Sequence, residues 1–172
     1  NGFANGVAYY NQVKGTEVQV VGWDVEAQDG LFTGDFEDQT QGRQVTEGLL
    51  DQNADIILPV AGPVGLGSVE AIRAGGGGQK LIWVDSDGCE SVPEACDLFL
   101  TSVQKKMDNA VFETITAAAE GDFPSGLYVG TLENDGVGLA PFNEFDDAVP
   151  QELKDELDAL REEIISGELE VS

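Results

Sequence analysis

Histidine is absent from this 172-residue chain. Its absence removes the Ser-His and Cys-His nucleophile pairs, the commonest general base and the commonest metal ligand, and so argues against an enzyme. Basic residues are scarce as well: 8 Lys and Arg stand against 33 Asp and Glu, a net charge of −25. A surface so acidic repels phosphate backbones and anionic membranes, which excludes nucleic acid as a partner. It also keeps a protein soluble and hydrated. No apolar run reaches the length of a membrane span. No basic-then-apolar leader opens the chain, and residue 1 is Asn1 rather than Met, so the chain reads as a processed or truncated product.

Cysteine is nearly absent. The two present, Cys89 and Cys96, lie in one polar, Pro-containing loop, Asp87-Gly-Cys-Glu-Ser-Val-Pro-Glu-Ala-Cys-Asp97. They cannot complete a zinc site without histidines or a second chain, and the CxxC redox spacing is missing. A local disulfide is the expected state, which points to an oxidising compartment.

What the chain does have is 41% apolar residues, enough for a packed core. Five apolar runs read as strands, over residues 18–24, 54–61, 80–85, 98–103 and 126–132. The second and third are almost continuous in apolar residues, as in strands buried on both faces of a parallel sheet. Helical spacing lies between most of them. Phe3, Val7 and Tyr10 share one face, as do Val45, Leu49 and Leu50. Met107, Ala110, Val111, Ile115 and Ala118 form a stripe that stops at Gly121. A short helix begins near Ser68. The last helix starts at Pro150, carries Leu153, Leu157, Leu160 and Ile164, and stops at Gly167. Such alternation predicts an α/β fold with a doubly wound parallel sheet. A Gly-rich turn is expected over residues 134–138.

In open α/β sheets ligands meet the carboxyl ends of the strands. Those ends carry Asp24, the loop Ala61-Gly-Pro-Val-Gly-Leu-Gly-Ser68, Asp85-Ser-Asp87 and Thr101-Ser-Val-Gln-Lys105. The loop from Gly62 to Gly67 lacks the Lys-Ser/Thr of a phosphate-binding loop and the glycine spacing of a dinucleotide site. By itself it reads as a closely packed strand-to-helix turn. Asp85 at a strand end can accept two hydrogen bonds from a vicinal diol, with Lys105 as donor and countercharge. The same two residues read equally as a salt bridge or a helix cap. Asp85-Ser-Asp-Gly88 opens like a calcium loop but lacks the later ligands and the terminal Glu, and no metal or cofactor is expected. Phe36 stands on an acidic, Gly-containing loop. Taken alone it covers the edge of the fold; it also offers a face to a flat ring.

In order, the chain carries Asn1-Gly-Phe-Ala-Asn-Gly-Val7, Thr33-Gly-Asp-Phe-Glu-Asp38, Gly42, Ala54-Asp-Ile-Ile57 and Ala61-Gly-Pro-Val-Gly-Leu-Gly67. Val84-Asp-Ser-Asp87, Leu100-Thr-Ser-Val-Gln-Lys105, Gly136-Val-Gly-Leu-Ala140, Val149-Pro-Gln-Glu-Leu153 and Ile165-Ser-Gly167 follow. This order resembles the basic membrane protein family of substrate-binding lipoproteins. The resemblance runs through essentially the whole chain. It implies a type I periplasmic-binding-protein fold of two α/β lobes, serving an ABC importer from the extracellular or periplasmic side. Several members bind purine nucleosides. The resemblance then makes Phe36 a stacking partner of the base and Asp85 and Lys105 the holders of the ribose hydroxyls, with Gly62 on the same edge and Asp87 in reserve for Asp85.

The resemblance further assigns residues 1–122 to a C-terminal ligand-binding lobe without its first strand. Residues 123–172 become a crossover and a segment of the N-terminal lobe. The expected partners are a nucleoside, a transporter permease and the missing N-terminal lobe of the same protein, or a second copy of the fragment. The competing readings are a binding protein for another metabolite, such as a sugar, and the effector domain of a transcription regulator. The disulfide and the acidity speak against the regulator.

Overall fold

The computed structural model describes residues 1–122 and 125–171. Phe123, where the second predicted segment begins, lies outside them. The chain forms two compact units. The first contains residues 1–57, 61–80 and the C-terminal residues from Gly167. The second contains Leu58–Val60 and Leu81–Ser166.

In the first unit, helix α1 (Gly2–Lys14) ends at Gly15, whose φ of 66° is the left-handed cap that glycine supplies without strain. The run at 18–24 yields a strand only at β1 (Trp23–Asp24), paired antiparallel with β2 (Asp29–Gly30). Asn11 occupies the start of the run. Its side-chain amide donates to the Val18 carbonyl and accepts from the Val18 N–H, both at 2.8 Å. A side chain takes the bonds a neighbouring strand would need. Helix α2 (Gln39–Leu50) starts earlier than the apolar stripe after Gly42, because the Asp38 carboxylate caps the backbone N–H groups of Thr40 and Gln41. Strand β3 is reduced to Ile56–Ile57. A 3₁₀ turn at Pro63–Gly65 leads into helix α3 (Leu66–Ala74). Ile57, Val64, Ala71 and Ile72 are buried here. The Thr46 and Ser68 hydroxyls, both buried, meet at 2.7 Å and so satisfy each other.

In the second unit, β4 (Lys80–Asp85) runs parallel to β5 (Phe99–Lys105), and β6 (Val137–Leu139) joins β5 antiparallel. The parallel pair is connected through the short helix α4 (Gly88–Ser91) and a 3₁₀ segment, Pro93–Leu98. Leu81, Trp83, Ala95, Leu98 and Phe99 are buried, with the Trp83 and Phe99 rings 5.1 Å apart. The expected strand at 126–132 is not formed, and the strand lies instead at 137–139, overlapping the end of the expected turn. Asn134 explains this. Its side chain donates to the Val129 carbonyl and accepts from the N–H groups of Thr131 and Gly136. The first stretch is folded into a turn, which leaves the second to pair with β5.

Helix α5 (Met107–Glu120) ends at Gly121 as predicted, and α6 (Gln151–Ser166) follows Pro150. Their stripes are not core: neither helix buries a residue, and Met107, Val111, Phe112 and Ile115 are all exposed. Helices alternating with strands around a parallel pair make this an α/β fold, as the sequence predicts. Among the described residues no helix is long and apolar enough to cross a membrane.

Candidate functional site

Asp85 closes β4 and Lys105 closes β5. Parallel pairing of the two strands, with Asp85 opposite Gln104, brings both ends to one edge. The Lys105 Nζ stands 2.6 Å from Asp85 Oδ1, and both side chains are substantially exposed. The backbone of Asp85 adopts φ 72°, unusual for a residue with a Cβ, and the Ser86 N–H donates to the Val84 carbonyl at 3.0 Å across it. Such a conformation costs about 1–3 kcal/mol and is concentrated at functional positions. The result is a carboxylate turned out of the strand, paired to an ammonium and retaining acceptor capacity for hydroxyl groups.

Asp87 does different work. Its buried carboxylate caps α4 through the Cys89 N–H at 2.9 Å and accepts from Asn143 Nδ2 at 3.1 and 3.2 Å. Its side chain is committed internally and is not a reserve for Asp85. The spacing Asp87-Gly-Cys-Glu90 is a helix-start signal that sequence reading could have used. Asn143 carries no local signal, since 56 positions separate it from Asp87. The Cys89–Cys96 disulfide is formed, with 4.5 Å between Cα atoms. Gly88 completes the packing: its N–H donates to the buried Ser102 hydroxyl, and a Cβ there would lie 2.7 Å from the Phe99 ring.

Phe36 and Gly62 are neighbours in the first unit. The Val64 N–H donates to the Phe36 carbonyl at 2.9 Å, and a Cβ on Gly62 would sit 3.7 Å from the same oxygen. Phe36 as a residue is 71% exposed, so it does not cover an apolar edge. Its loop is nonetheless well braced. Asp35 Oδ1 accepts from the N–H groups of Glu37 and Asp38, and those two bonds hold its carboxyl below the usual carboxylate range. In the loop 62–67, Gly67 answers to close packing: a Cβ there would stand 2.1 Å from the Gln39 carbonyl oxygen. The structure thus brings Asp85 to Lys105, and Phe36 to Gly62. The two pairs belong to different units. A shallow groove of about 460 Å³ lined by Trp23, Asp24, Leu31 and Gln52 contains none of the four.

A strand-end carboxylate with a lysine partner suits a polyhydroxylated ligand, and comparison with known proteins specifies the setting. All of residues 1–172 match the family model of ABC transporter substrate-binding proteins described as PnrA-like. The chain belongs to that family. It is a family of substrate-binding proteins rather than of enzymes. Among its relatives is the CD4+ T-cell-stimulating antigen of Listeria monocytogenes, 26% identical over 83% of this chain and 43% of that protein. Basic membrane protein A of Borreliella burgdorferi is 29% identical over 80% of this chain and 40% of its own length. A crystal structure of an ABC transporter solute-binding protein from Aeropyrum pernix superposes with a TM-score of 0.79 at 25% identity, over 98% of this chain and 51% of that one. The chain therefore spans about half the length of the relatives it matches.

Proposed function

We propose that this chain is part of an extracytoplasmic solute-binding protein of an ABC importer and that its ligand is a purine nucleoside. In this reading the Asp85 carboxylate and the Lys105 ammonium hold ribose hydroxyls. Phe36, with Gly62 beside it, presents the stacking surface for the base. The observation that carries the reading is the strained, outward Asp85 paired with Lys105 at 2.6 Å. Membership of a substrate-binding family supports the transport role, and the disulfide supports an oxidising, extracytoplasmic setting. The proposed partners are a transporter permease and a further lobe of the same protein, within the length of the matched relatives that this chain does not cover. The whole protein is proposed to be a lipoprotein. The exposed apolar face of α5 supports a covering partner: the remaining lobe in the whole protein, or a second copy when the chain is alone.

The test is calorimetric titration of guanosine, adenosine and their free bases into the full-length protein, with and without Asp85→Ala. Losing a charged partner of the ribose hydroxyls should cost about 1.5–3 kcal/mol, roughly ten- to a hundredfold in affinity. The free bases should be indifferent to the change. Equal nucleoside affinity in the two proteins would refute the assignment. Tighter binding of a sugar than of any nucleoside would replace the ligand.

A further inference from the structure

The conformation of Asp85 has to be maintained by something, and the residues on its two sides differ in how they are held. On the upstream side it is the last residue of β4, in register with β5. On the downstream side only Ser86 separates it from Asp87, and Asp87 is fixed from several directions. Its carbonyl accepts from the N–H groups of Glu90 and Ser91 and from the Ser91 hydroxyl. Its buried carboxylate accepts from the Cys89 N–H and from the Asn143 amide. Cys89 is itself tied to Cys96. Asn143 is the one side chain in this set that comes from far along the sequence. It too is held at positive φ, 48°, with its amide also donating to the Pro141 carbonyl. Asn143 thus reaches, through the buried Asp87 carboxylate, a point two residues along the chain from Asp85.

We propose that Asn143 is a positioning residue for the ligand site: by clamping Asp87 it holds the turn that directs the Asp85 carboxylate outward. The proposal rests on the ligand reading for what Asp85 does, and on the geometry for how Asp85 is held. Without the Asn143 amide, the Asp87 carboxylate keeps its helix-capping bond and loses its distant anchor. A buried acceptor short of a partner shifts or admits water. Strained backbone persists only where its surroundings over-determine it, so the turn at Asp85 and Ser86 is the part that relaxes.

The variant is Asn143→Gly, which removes the amide and leaves positive φ unstrained. Asn143→Asp, which keeps the shape but opposes two carboxylates, is the second variant. Backbone 15N relaxation on the 172-residue chain reads the outcome without any ligand. The Asp85 and Ser86 amides should fall from an order parameter of about 0.85 to below about 0.6 in both variants. Leu81 to Val84 should stay unchanged. Unaltered order at Asp85 and Ser86 would overturn the proposal. So would an equal loss along all of β4, which marks a purely structural role. Failure of the nucleoside reading shows elsewhere, as unaltered guanosine affinity in the Asp85→Ala protein.

Discussion

Two glycines six positions apart on α2 should respond in opposite directions to the same substitution. A Cβ built on Gly42 lies 2.1 Å from the Val64 carbonyl oxygen and 3.1 Å from the Val64 carbonyl carbon and Cγ2. Carbon–oxygen contacts normally close to about 3.3 Å, so α2 and the loop at Val64 must part by roughly 1 Å. The obstacle is main chain, and it cannot rotate away. Val64 is buried, and its N–H is bonded to the Phe36 carbonyl. Overpacking of this kind costs about 1–3 kcal/mol, and the immobile neighbour puts Gly42→Ala at the upper end. The gain in helix propensity returns about 1 kcal/mol, leaving a net destabilisation of about 2 kcal/mol. Gly48, on the exposed face of the same helix, would have nothing within 4 Å of an added Cβ. Gly48→Ala should stabilise by about 0.5–1 kcal/mol. Urea titrations of both variants, compared at constant m, read the difference directly. A thermal scan should separate them by roughly 5–12 °C, since each kcal/mol moves the midpoint of a chain this size by about 2–4 °C. Equal midpoints, or a Gly42→Ala protein more stable than Gly48→Ala, would refute the packing argument.

Reduction of Cys89–Cys96 should lower stability by about 2–3 kcal/mol, the cost expected for releasing a short loop. Intact mass before and after reductant checks the bond, and two freely alkylated thiols in the unreduced protein would disprove it. The Asp135 carboxyl is held below the usual carboxylate range by the Lys106 ammonium hydrogen-bonded to it at 2.7 Å, and Asp35 by backbone N–H groups. With folded values below the unfolded value of about 3.9, both favour the native state above that pH and lose their effect as pH falls through the folded values. The turn at 131–136 and the loop at 33–38 should therefore keep their order at pH 5 and loosen only in stronger acid. A 13C carboxyl titration placing either group above the unfolded value would contradict this. Finally, the 172-residue chain alone should bind guanosine more weakly than about 1 µM, because binding pockets enclose about 70–90% of a ligand and the chain spans about half of its relatives. Titration with light scattering alongside tests it, and tight binding by a monomer would show a complete site.

The sequence by itself determined the class of the fold, most of the helices and which polar residues stand at the strand ends. A helix limit was legible where one residue enforces it: left-handed Gly121 stops α5, whatever surrounds it. The strand at 80–85 was legible because a nearly continuous apolar run suits burial on both faces, and the disulfide because both cysteines share a short loop. Which apolar runs become strands was decided only in three dimensions. A strand needs a partner for its backbone. The amides of Asn11 and Asn134 take those bonds at Val18 and at Val129–Thr131, so the run at 126–132 forms no strand and the run at 18–24 pairs only at its end, Trp23–Asp24. Burial was likewise undecided by periodicity: the α5 stripe has the spacing of a core helix and lies in the open, because spacing defines a face without supplying anything to cover it. The site divides the same way. The residue types of Asp85 and Lys105 announced a polar pair, but their separation came from parallel register, and the strain at Asp85 from a turn whose far support, Asn143, is distant in sequence. Hydrogen bonds between remote residues are set by the path of the backbone, and no local pattern encodes them.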